Sequence, residues 1–324
     1  MRRVDFSAAK WLLVHYYLLG SMALILNSFA VYLLIFHCSK LGRFRYYLLS
    51  LQILCCLTDI CEDFLVQPQA LFPITAGYAS GLLSSFFGFS TLFCVGVMLE
   101  VVVVQIEILV FCFLMKHQSI AKILDVHVLS KRNKYFLASI FITTPFTVGV
   151  ALKFGTMSKE QQWTYIRENY PDYISSFQEL ANFEICQKSI EFLCLIALVM
   201  FAALMVITSL FLLTFDMFHM MNVLKTKLSP TAYHRHQHAV KSLLVQLTTS
   251  LFCTLPPSLF GVTIFLDFPS VQLVAELCLA WFSTHSSVSV ICLIIFFPPF
   301  NTFIVRLFRR FESRKVKEDT GGVA

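Results

Sequence analysis

Seven stretches of the chain are long and predominantly apolar, at about 11–36, 47–67, 82–114, 135–152, 191–215, 242–266 and 274–297. The clearest is 242–266, twenty-five residues without Asp, Glu, Lys or Arg. At ~1.5 Å per residue it can cross a hydrocarbon layer ~30 Å thick. Its polar positions are not scattered: Ser242, Gln246, Ser250, Cys253 and Pro257 recur on one helical face, which is expected to look at other helices and not at lipid. Pro256 and Pro257 each remove a backbone donor, so a hinge is predicted there. Before this span runs a basic, His-rich segment (225–241, KTKLSPTAYHRHQHAVK), read as a loop that would act as a lever on the hinge. The 82–114 stretch is too long to lie wholly in hydrocarbon, and 11–36 is too long for the core of a signal peptide.

Composition turns this pattern into a class. A chain of 324 residues that is 57% apolar and 14% charged, with mean hydropathy +0.74, lacks the polar residues to cover a water-soluble globule. The pattern predicts an all-α membrane protein with seven transmembrane helices in one domain, 1–324. The 34 Phe suit packing in lipid and at its interfaces. Eleven Cys show no paired metal spacing and read as small packing residues. The +6 net charge is juxtamembrane and not interleaved with stacking aromatics, so no nucleic-acid partner is expected.

Charge also orients the chain. Eighteen of the 25 Lys and Arg fall in 37–46, 115–134, 216–241 and the tail, against seven in the N-terminal segment and the 153–189 connection. By the positive-inside rule the N-terminus is predicted outside and the 300–324 tail in the cytoplasm, although Arg2, Arg3 and Lys10 argue locally the other way. The tail places Phe303, Leu307 and Phe311 on one face and Arg306, Arg309 and Arg310 on another. This reads either as a short amphipathic helix on an anionic leaflet or as a frayed basic end.

The spans carry acids but no bases. Gln52, Cys56, Asp59 and Asp63 make one stripe on the second span, and Glu100 and Glu107 share a face of the third. The second-span stripe must face the bundle interior, because a charge in hydrocarbon costs about 3 kcal/mol on insertion scales. They serve either as a ligand or ion site or as internal hydrogen-bonding glue, with Asn27 as one partner. Asp63 and Glu100, nearer the outer half, are the ligand candidates; Asn27, Asp59 and Gln246 form the expected internal polar network. The His234, His236 and His238 run has no local Cys or carboxylate and reads as a solvated basic surface. His285, with Ser289 and Cys292 on its face, reads as a packing residue. No catalytic nucleophile, phosphate loop, metal site or cofactor motif is found, so no enzyme is expected.

Several runs together resemble the serpentine receptor class I (Sri) chemoreceptors of nematodes: 44–60 (FRYYLLSLQILCCLTDI), 67–81 (QPQALFPITAGYASG), 116–123 (KHQSIAKI), 170–185 (YPDYISSFQELANFEI), 228–246 (LSPTAYHRHQHAVKSLLVQ) and 284–300 (THSSVSVICLIIFFPPF). The resemblance covers nearly the whole chain. It implies a G-protein-coupled chemosensory receptor with a GPCR-like bundle, in the plasma membrane of sensory neurons and at their cilia. Against the wider rhodopsin-like pattern, Lys116 and His117 stand where an acid-Arg-Tyr motif would be, and the last span ends Pro298-Pro299-Phe300-Asn301. Asn27 and Asp59 do resemble the polar pair of the first two helices. Whether an outer disulfide forms through Cys186 is open, since Cys94 lies deep in the third span.

The resulting expectation is a receptor whose outer cavity, beneath an aromatic loop bearing Trp163, Tyr165, Tyr170 and Tyr173, binds a small odorant or pheromone-like molecule. A basic cleft of Lys116, His117, His238 and Lys241 would then meet a heterotrimeric G protein. The alternatives are a seven-span transporter or channel, disfavoured by the odd count without a repeat, and a membrane-embedded metal hydrolase, for which the spans supply too few histidines, His285 among them.

Overall fold

A computed structural model describes residues 6–154, 156–180, 182–187, 189–263 and 270–321. Helix α1 spans Lys10–Phe36 and α2 spans Phe44–Ile60, continuing directly into a six-residue π-turn, Cys61–Val66. A hairpin of β1 (Pro68–Leu71) and β2 (Ala76–Ala79) and a single turn, α3 (Leu82–Ser85), lead to α4 (Thr91–Leu124). Then come α5 (Lys131–Phe154), α6 (Lys159–Asn169), α7 (Ile174–Glu179) and the short β3 (Glu184–Ile185). The chain continues through α8 (Ile190–Lys227), α9 (Pro230–Thr263), α10 (Val271–Ser283), α11 (His285–Phe296) and α12 (Pro298–Gly321).

These elements build a seven-helix membrane bundle. Among the described residues α1, α4, α5, α8 and α9 are each long and apolar enough to cross a membrane, and α10 with α11 makes one further span bent by 42°. The remaining span is α2 with its π-turn, which carries Asp59, Glu62 and Asp63 and packs between α1 and α4. Helix α4 sits at the centre, touching α2, α5, α8 and α9, while α1 closes on α2, α10 and α11. One large apolar core joins α1, α2, α4, α8, α9 and α11, including Leu33, Leu48, Phe113, Met217, Leu243 and Leu293. By contrast α5 and much of α8 expose Phe136, Phe146, Phe201, Leu204 and Phe211, an apolar outer surface suited to lipid tails.

Several expectations shift. Beside the helices lies a three-stranded sheet that the linear pattern did not show, order β1-β2-β3, in which β1 pairs with β2 from Pro68↔Ala79 to Leu71↔Ala76 and β2 pairs with β3 at Ala76↔Ile185. These strands are too short to carry a visible alternation. The 82–114 stretch is interrupted, because Ser90 caps a fresh helix by accepting from the Phe93 N–H at 3.3 Å. That helix then runs to Leu124, past the predicted end. The 153–189 connection is not simple loop: Ser158 and Gln161 form a capping box at the start of α6. The 225–241 segment is helical on both sides of Leu228 and Ser229, so no flexible loop separates the basic His run from the span. Helix α9 passes Pro256 and Pro257 without a break, and 264–266 lie outside the described residues. A sharp bend of 42° falls in the last span, near Thr284.

Two glycines allow the π-turn to lie close to its neighbours. A Cβ on Gly81 would come within 2.5 Å of the Leu65 backbone carbonyl, and one on Gly20 within 2.7 Å of both Asp63 Cβ and the Phe64 ring. Backbone cannot step aside as a side chain can. Gly81→Ala is therefore expected to cost about 1–3 kcal/mol of stability, whereas Gly96→Ala, whose nearest contact would be 3.9 Å away, should be neutral. Thermal unfolding of detergent-purified protein tests this, and equal midpoints for the two variants would contradict the packing described.

Candidate functional site

Three polar layers follow one another along the bundle axis. At one end the sheet and helices α6 and α7 form a cap over a separate apolar cluster of Leu71, Ile74, Ile166, Phe177, Phe183 and Ile185. Trp163 and Tyr170 pack on that cluster, with Trp163 edge-on to Phe183 at 5.4 Å and Tyr165 to Tyr170 at 5.9 Å. Lys159 reaches the Glu184 carboxylate at 2.9 Å, and Gln162 donates to the same group at 2.6 Å. Cys186 is tied to the hairpin: its N–H donates to Thr75 O at 3.0 Å, and its own carbonyl accepts from Thr75 Oγ1 at 2.7 Å. Cys186 and Cys94 are both free thiols. Burial, with the Glu184 carboxylate adding to it, pushes the Cys186 thiol up to about 11.

The middle of the bundle holds a knot around Asn27, which is fully buried. Its amide donates to Asp59 Oδ2 at 2.8 Å and to Ala23 O at 2.9 Å, while its oxygen accepts from Ser286 Oγ at 3.0 Å and from Gln52 Nε2. Thr58 on the adjacent face of α2 donates to Gln105 on α4. Four of the seven spans are thereby joined by polar contacts in a medium that offers no water to compete for them. Gln246 does not join the knot.

It lines a neighbouring cavity of about 30 Å³ instead, between α2, α4, α9 and the last span. The wall contains Cys55, Val102, Gln105, Ile106, Leu109, Gln246, Ser250, Phe282, His285 and Ser289. Ser250 and His285 Nε2 are hydrogen-bonded at 3.1 Å, and the buried Gln246 Oε1 has no hydrogen-bond partner among the described residues. Leaving such an acceptor empty costs about 1–3 kcal/mol. The predicted polar face thus turns inward at Ser242, Gln246 and Cys253, which are buried.

The acids singled out as ligand candidates lie elsewhere. Asp63 is fully buried on the π-turn against Gly20, and neither of its carboxylate oxygens has a partner among the described residues. Glu100 faces α5, where a Cβ on Gly149 would approach its Oε1 to 3.2 Å. Neither borders the cavity, nor do Trp163 and Tyr170. Among the described residues no group of three or more His, Cys, Asp or Glu is arranged to hold a metal ion.

At the opposite, basic end the helices are clasped. Lys116 on α4 is 4% exposed, lies 5.2 Å from the centre of the Phe44 ring and meets His236 Nδ1 of α9 at 3.1 Å. The ammonium donates and the imidazole nitrogen accepts, so the pair requires His236 unprotonated at Nδ1. Next to it His117 Nε2 bonds Asp216 Oδ2 of α8 at 2.6 Å, and His127 Nδ1 reaches the same oxygen at 3.0 Å. Gln118 secures the α4–α5 connection, donating to His127 O at 3.1 Å and accepting from Leu129 N–H at 2.8 Å. His238 is half-buried and Lys241 exposed. Sequence reasoning grouped His236 with a solvated run; its burial follows from sharing a face with Val240 and Leu243, both in the core. Asp216 was missed because its helix continues through what read as a loop.

Two outcomes follow. Asn27→Ala removes hydrogen bonds worth on average ~0.6 kcal/mol each in a membrane protein and strands their partners, so a loss of roughly 2 kcal/mol is expected in denaturant unfolding. Cys186 should be modified by maleimide at a rate that climbs ~tenfold per pH unit from 7 to 10, as the thiolate fraction does below its pKa; a plateau by pH 9, read by peptide mass analysis, would mean the thiol is not buried as described.

Comparison with known proteins agrees with this geometry. The chain superposes on the crystal structure of squid rhodopsin with a TM-score of 0.61 at 11% identity, covering 99% of this chain and 92% of that one, which establishes the fold alone. A search of curated proteins finds no match. The family model described as serpentine type 7TM GPCR chemoreceptor Sri matches residues 2–304. Since that span takes in every membrane helix, the chain belongs to the serpentine 7TM GPCR chemoreceptor family Sri.

Proposed function

We propose that this receptor binds a small odorant or pheromone-like molecule on the side of the sheet and cap, and signals to a heterotrimeric G protein at the basic end. The chain would sit in the plasma membrane of sensory neurons, at their cilia, with its N-terminus outside and its tail in the cytoplasm. The observation that carries this reading is that α4 and α9 share both the cavity wall and, about two turns farther along α4, the Lys116–His236 contact. A ligand that spreads the two helices at one level strains their clasp at the other. It shifts the population toward an open basic end only to the extent that it binds that state more tightly.

Opening would uncover Lys116 and His117 beside His238 and Lys241, a cationic cleft suited to an amphipathic partner helix. Helix α9 would swing about Pro256 and Pro257. Trp163 and Tyr170 remain candidates for the ligand's approach through the cap, whereas Asp63 and Glu100 would act on it only from outside the cavity wall. The departure from an acid-Arg-Tyr sequence means that here a Lys–His hydrogen bond, and not an acid–Arg ion pair, would hold the resting state.

His236→Phe should raise ligand-independent signalling several-fold at matched surface expression, because the ammonium of Lys116 loses its acceptor. Lys241→Glu should weaken evoked signalling about tenfold without raising the basal level. Basal activity unchanged by His236→Phe would remove the clasp from the mechanism. A tag placed after Ala324 should stain only permeabilised cells, and staining of intact cells would invert the proposed orientation.

A further inference from the structure

The run between β2 and α4 carries a chain of Phe rings on its outside. Phe86 is 79% exposed and Phe87 60%, and Leu82, Phe89 and Phe93 are exposed beside them. The rings touch in series: Phe86 meets Phe87 edge-on at 5.0 Å, Phe87 stacks on Phe89 at 6.1 Å, and Phe89 lies 4.7 Å from Phe93. The inner side of the same run is packed, with Ser84 buried and Leu83 set against the cluster of Cys61, Val66, Ala79 and Cys94. Gly81 N–H donates to Val66 O at 2.9 Å, which holds α3 level with the end of the second span. Two further features bear on what covers the rings. Residues 64–99 contain no Asp, Glu, Lys or Arg, so the chain offers water no charge on either side of the patch. Every backbone N–H from Ser84 to Phe89 is also paired inside the run: Ser84 and Ser85 donate to Gly81 O, Phe86 and Phe87 to Leu82 O, Gly88 to Ser84 O and Phe89 to Leu83 O, all within 3.3 Å. The last of these bonds needs the left-handed turn at Gly88, with φ of 69°. The Ser85 hydroxyl donates to Gly81 O as well, at 2.9 Å. A loop in water can leave such donors to solvent, whereas a segment against hydrocarbon must pair them itself.

We propose that α3 and the turn after it form an interfacial anchor, with Leu82, Phe86, Phe87, Phe89 and Phe93 seated in the lipid leaflet on the side of the cap, where acyl chains meet headgroups. Phe93 continues the patch onto α4, a membrane-crossing helix, so the same lipid that surrounds the bundle reaches the rings. A water-facing partner protein would instead meet a surface whose backbone is already closed on itself and which carries no charge of its own to direct docking. Because Gly81 ties the run to the π-turn, the anchor also fixes how deep the second span and the hairpin sit. The inference is independent of the ligand and of the signalling partner.

The full-length protein is placed in nanodiscs holding a single copy, made from phosphatidylcholine brominated either near the headgroup end of its chains or near their tips. The emission that Phe87→Trp adds to that of Trp11, Trp163 and Trp281 is then followed. Expected is about a threefold loss of this added emission with the shallow bromines, a smaller loss with the bromines at the chain tips, and little change with iodide in the water. Phe86→Trp, at the more exposed position, repeats the reading and covers the case in which the first variant fails to fold. Strong quenching by iodide with weak quenching by lipid would put the rings in water and overturn the anchor. Protection from both would mean that protein covers them, and overturns it equally. Quenching no stronger from the shallow bromines than from the tips would overturn the interfacial depth.

Discussion

A polar group inside a lipid-embedded bundle must find its partner within the protein, and Asn27 is where this chain meets that constraint most completely. One carboxamide engages Asp59, Gln52 and Ser286 and so draws three spans to a common point. Each bond is modest in net energy; the larger effect is that moving any of these helices leaves a buried donor or acceptor empty. The register of α1, α2 and α11 is set by that penalty. The large apolar core packs around a frame whose rotation is already decided.

From this frame the rest acquires its roles. Helix α4 carries Gln105 in the middle of the bundle and Lys116 and His117 at its basic end. Helix α9 carries Gln246 and Ser250 at the cavity and His236 at the clasp. Two helices therefore contribute to both levels, while α5 and α8 turn largely apolar surfaces outward. Apolar packing alone would let these helices slide, since lipid is as good a neighbour as leucine. Directional polar contacts give the bundle discrete arrangements, which a switching protein needs.

The cap is a different kind of structure, held by its own aromatic cluster and by pairing of β3 with β2. It covers one end with ordered backbone, and the free Cys186 is secured there by Thr75. In a loop where water can reach the backbone, short strands and capped helices supply the order that the membrane imposes elsewhere. The same contrast separates the two ends: at the cap Lys159 and Gln162 meet the Glu184 carboxylate, and at the other end two histidines share the carboxylate of Asp216.

Much of this was legible in the residues. Spans of apolar residues long enough for a bilayer admit little besides helices, because unpaired backbone in hydrocarbon is too costly, and the number seven and the inward turn of Ser242, Gln246 and Cys253 followed. The likeness of Asn27 and Asp59 to a known polar pair also pointed to a real contact. What the linear pattern did not contain was depth and rotation. Basic side chains at 225–241 looked like a loop because charge signals water, yet a helix extends past the membrane boundary at no penalty, and burial of His236 depends on what α4 places opposite it, Lys116. Gln246 shares its face with other polar residues, but only packing assigned it to a cavity and not to the Asn27 knot. Periodicity along one chain fixes which residues share a face; what that face meets is decided by several helices closing together, and no single stretch carries that information.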